Sequence, residues 1–548
     1  DPRVRVNLPA VRVVWQSDPT GSQIININRL LKPGNGQAEL INKDLAVLKS
    51  DKNSEPAFLL DFGREIYGGL QITTGLMKVK KPTKVRIRFG ESVSEAMSEV
   101  DGSGGATNDH AMRDFIIDLP WLGGLEVGNT GFRFVRIDLL TPDTELLLKE
   151  INAIFIFRDV PYLGSFHSSD ERLNQIWQTG AYTVHLNMQQ YLWDGIKRDK
   201  LVWVGDMHPE VMAINSVFGY NEVVPKSLDL ARDATPLPQW MNGISSYSMW
   251  WILIQRDWYY HQGDLKYLQS QSEYLTGLLQ QLISKIKDGK EALDGNRFLD
   301  WPSSENKEAV HAGLQAMMIM ALQAGSELCS ILKETKLALA CDGAVSLLKK
   351  NVPAMANSKQ AAALLALAGI LPAERANQLI SENGARGFST FYGYYMLQAK
   401  ALAGDFDGAI DNIKEYWGGM LDLGATTFWE DFDLSWKENA GRIDEMVPDV
   451  KIDVHATYGA YCYKNLRHSL AHGWAAGPTS WLTTHVLGVK VLAPGCKTVK
   501  IEPHLGDLKF VNGSFPTPFG LIKISHLKMA DGKIKTSVVA PKQVKIVR

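Results

Sequence analysis

Up to about residue 160 the chain alternates apolar and polar side chains. In Lys84-Val-Arg-Ile-Arg-Phe-Gly90 the apolar Val85, Ile87 and Phe89 take one face and Arg86 and Arg88 the other, a period of two that predicts a half-buried strand. Ala57–Phe62, Asp114–Leu119 and Phe134–Leu139 are similar, and clusters of Gly, Pro, Asp and Asn separate them, which favours a β-sandwich over an α/β sheet. From about Ser168 the period turns helical. Ser169-Asp-Glu-Arg172 reads as a helix entry, with Leu173, Ile176 and Trp177 on one face. Helical patterns then run to about residue 486, among them His311–Leu332, Thr335–Lys350, Ser358–Leu371 and Phe391–Ala403, joined by short Gly-, Pro- and Asp-bearing connections. Helix pairs without a fixed period predict a closed toroid of hairpins in preference to a regular solenoid. After Val491-Leu-Ala-Pro-Gly495 strands return at Thr498–Ile501, Leu521–Ser525, Lys533–Val538 and Val544–Val547, with Asn512-Gly513 and Asp531-Gly532 as turn signals. The predicted organisation is an N-terminal β-sandwich over 1–163, a central helical toroid over 164–486 and a small C-terminal β-sandwich over 487–548.

Composition adds limits. With 548 residues, 45% of them hydrophobic, the chain can bury several cores. A formal net charge of -2 gives no basic footprint for nucleic acid or an anionic membrane. The longest apolar run, Ala361–Leu371, falls short of the roughly 20 residues that cross a bilayer and predicts a buried helix, so no membrane insertion is expected. The sequence starts at Asp1 with no basic-then-apolar leader, so any secretion signal lies outside it. Cys329, Cys341, Cys462 and Cys496 are too sparse for a disulfide framework and lack metal-ligand spacing; buried thiols are expected.

The chemistry concentrates in Asp194-Gly-Ile-Lys-Arg-Asp-Lys-Leu-Val-Trp-Val-Gly-Asp206, where three carboxylates, an arginine and a tryptophan share thirteen residues. Carboxylates hydrogen-bond hydroxyls or move protons, a guanidinium supplies fixed donors, and an indole face covers the apolar side of a pyranose. A helical pattern resumes at Val211, Met212 and Ile214, placing the carboxylates on a loop before a helix, where scaffolds carry function. Further along, Gly424-Ala-Thr-Thr-Phe-Trp-Glu-Asp-Phe-Asp433 sets Glu430 beside Trp429, as a general base or sugar ligand would be; the bland account is a helix N-terminus with acidic residues. His468 and His472 stand four apart, but no glutamate lies between them and no third ligand is evident, so metal is not expected. Of fifteen tryptophans, Trp203, Trp301 and Trp429 lie closest in sequence to candidate carboxylates. No P-loop, dinucleotide fingerprint or Gly-x-Ser-x-Gly elbow is present.

Together Asp194, Arg198-Asp199, Trp203-Val-Gly-Asp206, Gly424-Ala-Thr-Thr-Phe-Trp-Glu430 and the order of β and helical regions resemble the α-L-rhamnosidases of glycoside hydrolase family 78, inverting enzymes with an (α/α)6 barrel. The resemblance starts near Phe58 and includes Asp61-Phe-Gly63 and Gly131-Phe-Arg-Phe-Val135. It implies that Asp194, Arg198 and Asp206 hold rhamnose hydroxyls, that Trp203 lies against the ring, and that Glu430 is the general base. Asp300-Trp301 and His472 are similar to further active-site positions of the family, and Trp429 adjoins the base. The family's general acid is a glutamate in Arg-Asp-Glu-Arg-Leu-Gly-Trp. Here that segment is one residue shorter, and the position falls on Asp199 or on Lys200. A lysine is no carboxylic acid, so the expected acid is Asp199, kept protonated by neighbouring carboxylates and partial desolvation. The implied reaction is release of terminal α-L-rhamnose from oligosaccharides or glycosides by single displacement, with no cofactor required and a structural calcium on the β domains still compatible. An exported enzyme is the expectation that goes with it. Two rivals stand beside it: an (α/α)6 glycosidase for another sugar, for which a pair of pocket arginines would indicate uronic acids, and a non-catalytic carbohydrate-binding relative that lost the acid.

Overall fold

The computed structural model describes residues 1–100, 104–461 and 463–548. Its N-terminal region joins nine strands in one antiparallel sheet built around Ala57–Thr74. Alternation explains the pairing: Phe58 and Leu60 lie opposite Ile137 and Val135, while Ile87 lies opposite Ile137 on the other side of that strand, and all are buried. Past an irregularity between Asp61 and Ile66, one edge of Ala57–Thr74 passes from strand Arg12–Gln16 to strand Glu145–Arg158. The predicted strand Asp114–Leu119 is found with those bounds, and Lys84–Gly90 within Thr83–Gly90.

Apart from the short helix Val93–Met97 within the β region, α-helices follow from Glu171 onward. The first, Glu171–Asn187, is capped by Asp170, whose side chain accepts from Arg172 N and Leu173 N, one residue beyond the serine that opened the predicted entry. Lys307–Leu332, Thr335–Leu348, Lys359–Leu367 and Gly393–Leu402 fill the predicted helical stretches, and Lys359–Leu367 is buried along most of its length. No described helix is long and apolar enough to cross a membrane.

Two C-terminal sheets close the chain. One comprises Ser165–Ser168, Phe510–Thr517, Gly520–Lys528 and Ile534–Val539 in that order, so it borrows a strand from ahead of the first helix. Asp531-Gly532 forms the expected turn, with Gly532 at φ 81°. Asn512-Gly513 does not: both residues lie inside a strand, Asn512 opposite Ser525 and Gly513 opposite Ile524. The glycine serves close approach, because a Cβ there would sit 2.2 Å from the Ser165 carbonyl oxygen of the borrowed strand. Cys329, Cys341 and Cys496 are free and buried, as their pattern implied; Cys462 lies outside the described residues.

The β region is locked onto the helical region by buried polar contacts. Arg133 binds Asp61 through Nε at 2.8 Å and Nη2 at 3.0 Å while its Nη1 donates to the Gly424 carbonyl at 3.1 Å. Glu65 N donates to Thr426 Oγ1, and Gly131 N to the Ile196 carbonyl. Lys197 Nζ reaches Glu91 at 3.0 Å, Glu95 at 3.1 Å and the carbonyls of Leu466 and His468. Without Arg133 the buried Asp61 keeps, among the described residues, only the half-exposed Arg12 as an ion partner, at 2.9 Å, and the Gly424 carbonyl loses its donor. Arg133→Ala is therefore expected to destabilise the protein by about 3 kcal/mol, read as a lowered urea midpoint, whereas an exposed pair such as Lys533 with Asp531 contributes less than about 1 kcal/mol.

Candidate active site

Backbone pairing brings three separate segments together. Gly473 N donates to the Asp194 carbonyl at 2.8 Å, His472 N to the Phe428 carbonyl at 2.9 Å, and Glu430 N to the Ser469 carbonyl at 3.0 Å. Gly473 is required by proximity, since a Cβ there would lie 1.6 Å from Oε1 of buried Glu210 on helix Val204–Val217. Above these segments opens a cavity of about 430 Å³ whose walls include Asp194, Arg198, Asp199, Trp203, Asp206, Trp301, Glu430 and His472. A larger surface cavity of about 680 Å³, with Lys290, Lys307 and His311 in its wall, gathers none of the residues singled out in the sequence.

Arg198 holds the floor together. Its Nη2 donates to both oxygens of Glu430, at 2.9 and 2.7 Å, its Nη1 to Asp199 Oδ1 at 3.0 Å, and its Nε to the Arg467 carbonyl at 3.0 Å. Two carboxylates thus sit on opposite amino groups of one guanidinium, with the face of Tyr463 4.9 Å from its centre. Glu430 also accepts from Ser469 N at 3.2 Å, and its own carbonyl accepts from Thr390 Oγ1 and Trp474 Nε1.

His472 supplies a second cation. Burial opposes its charge, but Glu430, Asp206 and Asp194 outweigh it and push the imidazole up to about 9. Nε2 binds Asp206 Oδ2 at 3.0 Å. Nδ1 has no hydrogen-bond partner among the described residues and stands 3.7 Å from Glu430 Oε1. The spare N–H of an imidazolium in a cavity wall is a donor for a ligand oxygen. Four residues earlier His468 is the opposite case: burial and neighbouring cations hold it well below the ordinary range, and its Nε2 accepts from Asp431 N at 2.8 Å. No helix contains the pair, so the i, i+4 geometry does not arise.

Other expectations need correction. Asp194 lines the cavity and also braces the loop, its Oδ2 accepting from Asp199 N and its Oδ1 from Leu201 N, both at 2.9 Å. Burial pushes it up to about 7, with Asp206 and Asp199 adding to the rise against the pull of His472. Trp429 is fully buried, packed edge-on to Phe432 and His468, and absent from the cavity wall, because its backbone turns the side chain inward as Glu430 turns out. Thr426–Phe432 forms no helix, so Glu430 and Asp431 are not helix-terminal; of the segment's acids Asp433 alone caps one, the short 3-10 helix Leu434–Lys437, accepting from Ser435 N at 2.8 Å. Asp199 accepts from Arg198 Nη1 at 3.0 Å and Trp203 Nε1 at 3.2 Å, and His110 Nε2, which accepts from Arg467 Nη2 at 3.3 Å, lies 3.2 Å from it. Asp300 lies in a small side pocket with Glu430 and Asp431, its oxygens taken by Ser303, Gln360 and Ser389. Trp301 does face the main cavity, tied to Tyr463 Oη at 2.5 Å and stacked on Tyr461.

Sequence reasoning missed several wall residues: His110, Asn242, Tyr247, Tyr463, Arg467 and Trp474. Trp474 was visible in the His472 motif, whereas His110 belongs to the N-terminal β region and carried no signal. Arg467 makes the arginine pair absent from the motifs, yet it binds Asp109 at 2.9 Å while Arg198 binds Glu430 and Asp199, so both guanidinium charges are met within the protein. Glu91, Glu95 and His455 cluster closely enough to hold a metal ion, but the Lys197 ammonium occupies the cationic position between the glutamates. Both His455 nitrogens are engaged too, by Ser92 Oγ and the His468 carbonyl.

Carboxylates, a buried arginine and an imidazolium thus meet inside one aromatic-walled cavity. Residues 161–352 match the bacterial alpha-L-rhamnosidase 6 hairpin glycosidase domain, and residues 488–547 the bacterial alpha-L-rhamnosidase C-terminal domain. The likeness to family 78 rhamnosidases carried by the motifs is thereby shown. An alpha-L-rhamnosidase of Alteromonas sp. (strain LOR) is 24% identical over 91% of this chain and 56% of its own length. The fold is similar to that of the family 78 rhamnosidase of Bacillus sp. GL1, with a TM-score of 0.76 and 23% identity over 95% of this chain and 55% of that one. It is similar also to the rhamnosidase of Klebsiella oxytoca, solved with rhamnose bound, with a TM-score of 0.69 and 19% identity over 88% and 95% of the two chains. The chain thus spans about half the length of the curated relative.

The raised His472 carries a pH signature. A group bound more tightly to its proton in the folded state adds stability that is full below its ordinary value of 6.5 and is lost as pH rises through about 9. Thermal midpoints of the wild type and His472→Gln, followed across that window, are expected to converge as pH rises.

Proposed function

We propose that this protein is a glycoside hydrolase that releases terminal α-L-rhamnose from rhamnosides by single-displacement inversion. The observation that carries this reading is the placement of Glu430 and Asp199 on opposite amino groups of Arg198 in one cavity, so that two carboxylates address a bound sugar from different directions. Glu430, fixed as a hydrogen-bond acceptor, takes the proton of a water that attacks the anomeric carbon. The opposite corner, at Asp199, is where the leaving oxygen receives its proton. Trp203, Trp301 and Trp474 offer faces to the apolar side of the pyranose, while His472 Nδ1 and Asp206 meet its hydroxyls. Single displacement calls for carboxyl groups roughly 6.5 to 9.5 Å apart with a water between them, against roughly 5 Å for a retaining pair. The frame goes with the reading: helices between 164 and 486 closing as an (α/α)6 toroid, with a β-sandwich before and a small β domain after. The comparisons support the sugar, since similar proteins are rhamnosidases and one similar fold holds rhamnose.

An aryl α-L-rhamnoside and a rhamnosyl disaccharide, followed by proton NMR, test it. The first-formed sugar is expected to have inverted configuration, and Glu430→Gln to lower kcat about a thousandfold on both substrates. Retained configuration overturns the single displacement, retained turnover in the variant removes Glu430 as base, and no turnover of either substrate removes the rhamnoside reading.

A further inference from the structure

The larger surface cavity, of about 680 Å³, shares no wall residue with the cavity of Glu430. Three segments close around it: the hairpin of strands Ile286–Lys287 and Lys290–Glu291, the first turns of helix Lys307–Leu332, and the stretch 350–354 that follows helix Thr335–Leu348. One buried amide ties them together at the base. Gln315 Oε1 accepts from Glu291 N at 3.1 Å, and its Nε2 donates to the carbonyls of Asn351 at 2.5 Å and Leu348 at 3.2 Å. Asn351 Nδ2 completes the ring by donating to the Gly289 carbonyl at 3.1 Å. Gln315 is fully buried, so these bonds fix the shape of the cavity.

The wall carries an unbalanced charge. Lys290, Lys307 and Lys350 form no ion pair with any described residue, and among the described residues Glu308 is the one carboxylate beside them. A chain of net charge -2 thus concentrates positive charge in one concave place. Acceptors stand among these donors. Burial opposes the charge of Glu291, but His311 and Arg297 outweigh it and hold its carboxyl below the ordinary range. His311 Nδ1 therefore donates to Glu291 Oε1, at 2.5 Å, and Nε2 of the neutral ring is left as an acceptor with no partner among the described residues. Val352, Pro353 and Ala354 add an apolar strip, with Val352 half exposed.

Ammonium groups alone would suit any anion. Interleaved with hydroxyl acceptors and an apolar strip, they suit a sugar acid: carboxylates meet the lysines, hydroxyls donate to His311 Nε2 and Glu308, and the C–H face of the ring covers Val352 and Pro353. The volume lies in the range that holds ligands much larger than a simple ion. We propose that this cavity binds a carboxylate-bearing oligosaccharide, its acid groups seated on Lys290, Lys307 and Lys350. The inference goes beyond the reaction proposed above and does not need it. Where that reaction holds, the cavity assigns its rhamnose to acidic glycans, and one continuous segment serves both places: the hairpin that carries Lys290 runs on into Asn296, Phe298 and Trp301 of the active-site wall, with Glu291 bonded to Arg297 at 2.8 Å on the way.

Tetragalacturonate, its fully methyl-esterified form and inorganic tripolyphosphate, each titrated calorimetrically into the full chain at low salt, test it. The acid is expected to bind at least about tenfold tighter than the ester, and Lys290→Ala/Lys350→Ala to remove that difference. The thermal midpoint of the double variant is expected to stay in place, because both side chains are exposed. Salt raised to about 0.5 M is expected to weaken binding of the acid and to leave the ester unchanged. No binding of either form, equal binding of the two, or an acid affinity unmoved in the double variant would overturn the proposal. Tripolyphosphate held as tightly as tetragalacturonate, through the same lysines, would make the cavity a general anion surface and overturn the sugar assignment. None of these titrations requires turnover, so failure of the rhamnoside reading leaves their outcome standing.

Discussion

Everything at this site depends on one buried ion pair, that of Arg198 with Glu430. Both side chains are almost wholly withdrawn from water, a loss of hydration that costs several kcal/mol per charge and is offset only when geometry and additional hydrogen bonds are good. Here they are. Arg198 spends its donors on Glu430, Asp199 and the Arg467 carbonyl, so one guanidinium ties the 194–206 loop to the 428–431 segment and to the chain leading into His472. Behind it Lys197 does the same for the β region, through Glu91 and Glu95. Adjacent residues thus brace opposite sides of the floor.

The surrounding charges alternate in a way that gives each group its task. His472 is driven cationic by three carboxylates, and its spare nitrogen becomes a fixed donor in the cavity wall. His468, four residues away among cations, is driven neutral and serves as an acceptor for the Asp431 backbone. Asp194, on the cavity wall, also holds the backbone that presents Asp199. Identical residue types take opposite roles because desolvation and the sign of the nearest charge set protonation, and neither follows from residue type.

The site is also composite. Arg467 of the helical region binds Asp109 of the β region, and the β region delivers His110 against Asp199. Buried contacts at Arg133, Glu65 and Lys197 fix the two regions in place over a common interface. The N-terminal sheet is therefore part of the cavity wall. Local pattern foretold the elements well here: strand Asp114–Leu119 and the buried helix beneath Ala361–Leu371 need only periodicity to be read. It misled where a short signal had two meanings, as at Asn512-Gly513, whose glycine admits a neighbouring strand instead of making a turn.

By itself the sequence outlined the strand and helical regions, because hydrophobic period is a local property of a chain, and its resemblance to family 78 grouped Asp194, Arg198, Asp199, Trp203, Asp206, Trp301, Trp429, Glu430 and His472. Only the tertiary structure decided which way each side chain faces. It turned Trp429 inward, committed Asp194 to the backbone, placed Arg467 opposite Asp109 and carried His110 across from another region to Asp199. These outcomes depend on distances between residues far apart in the chain and on the desolvation that packing imposes, and neither quantity exists until the chain has closed on itself.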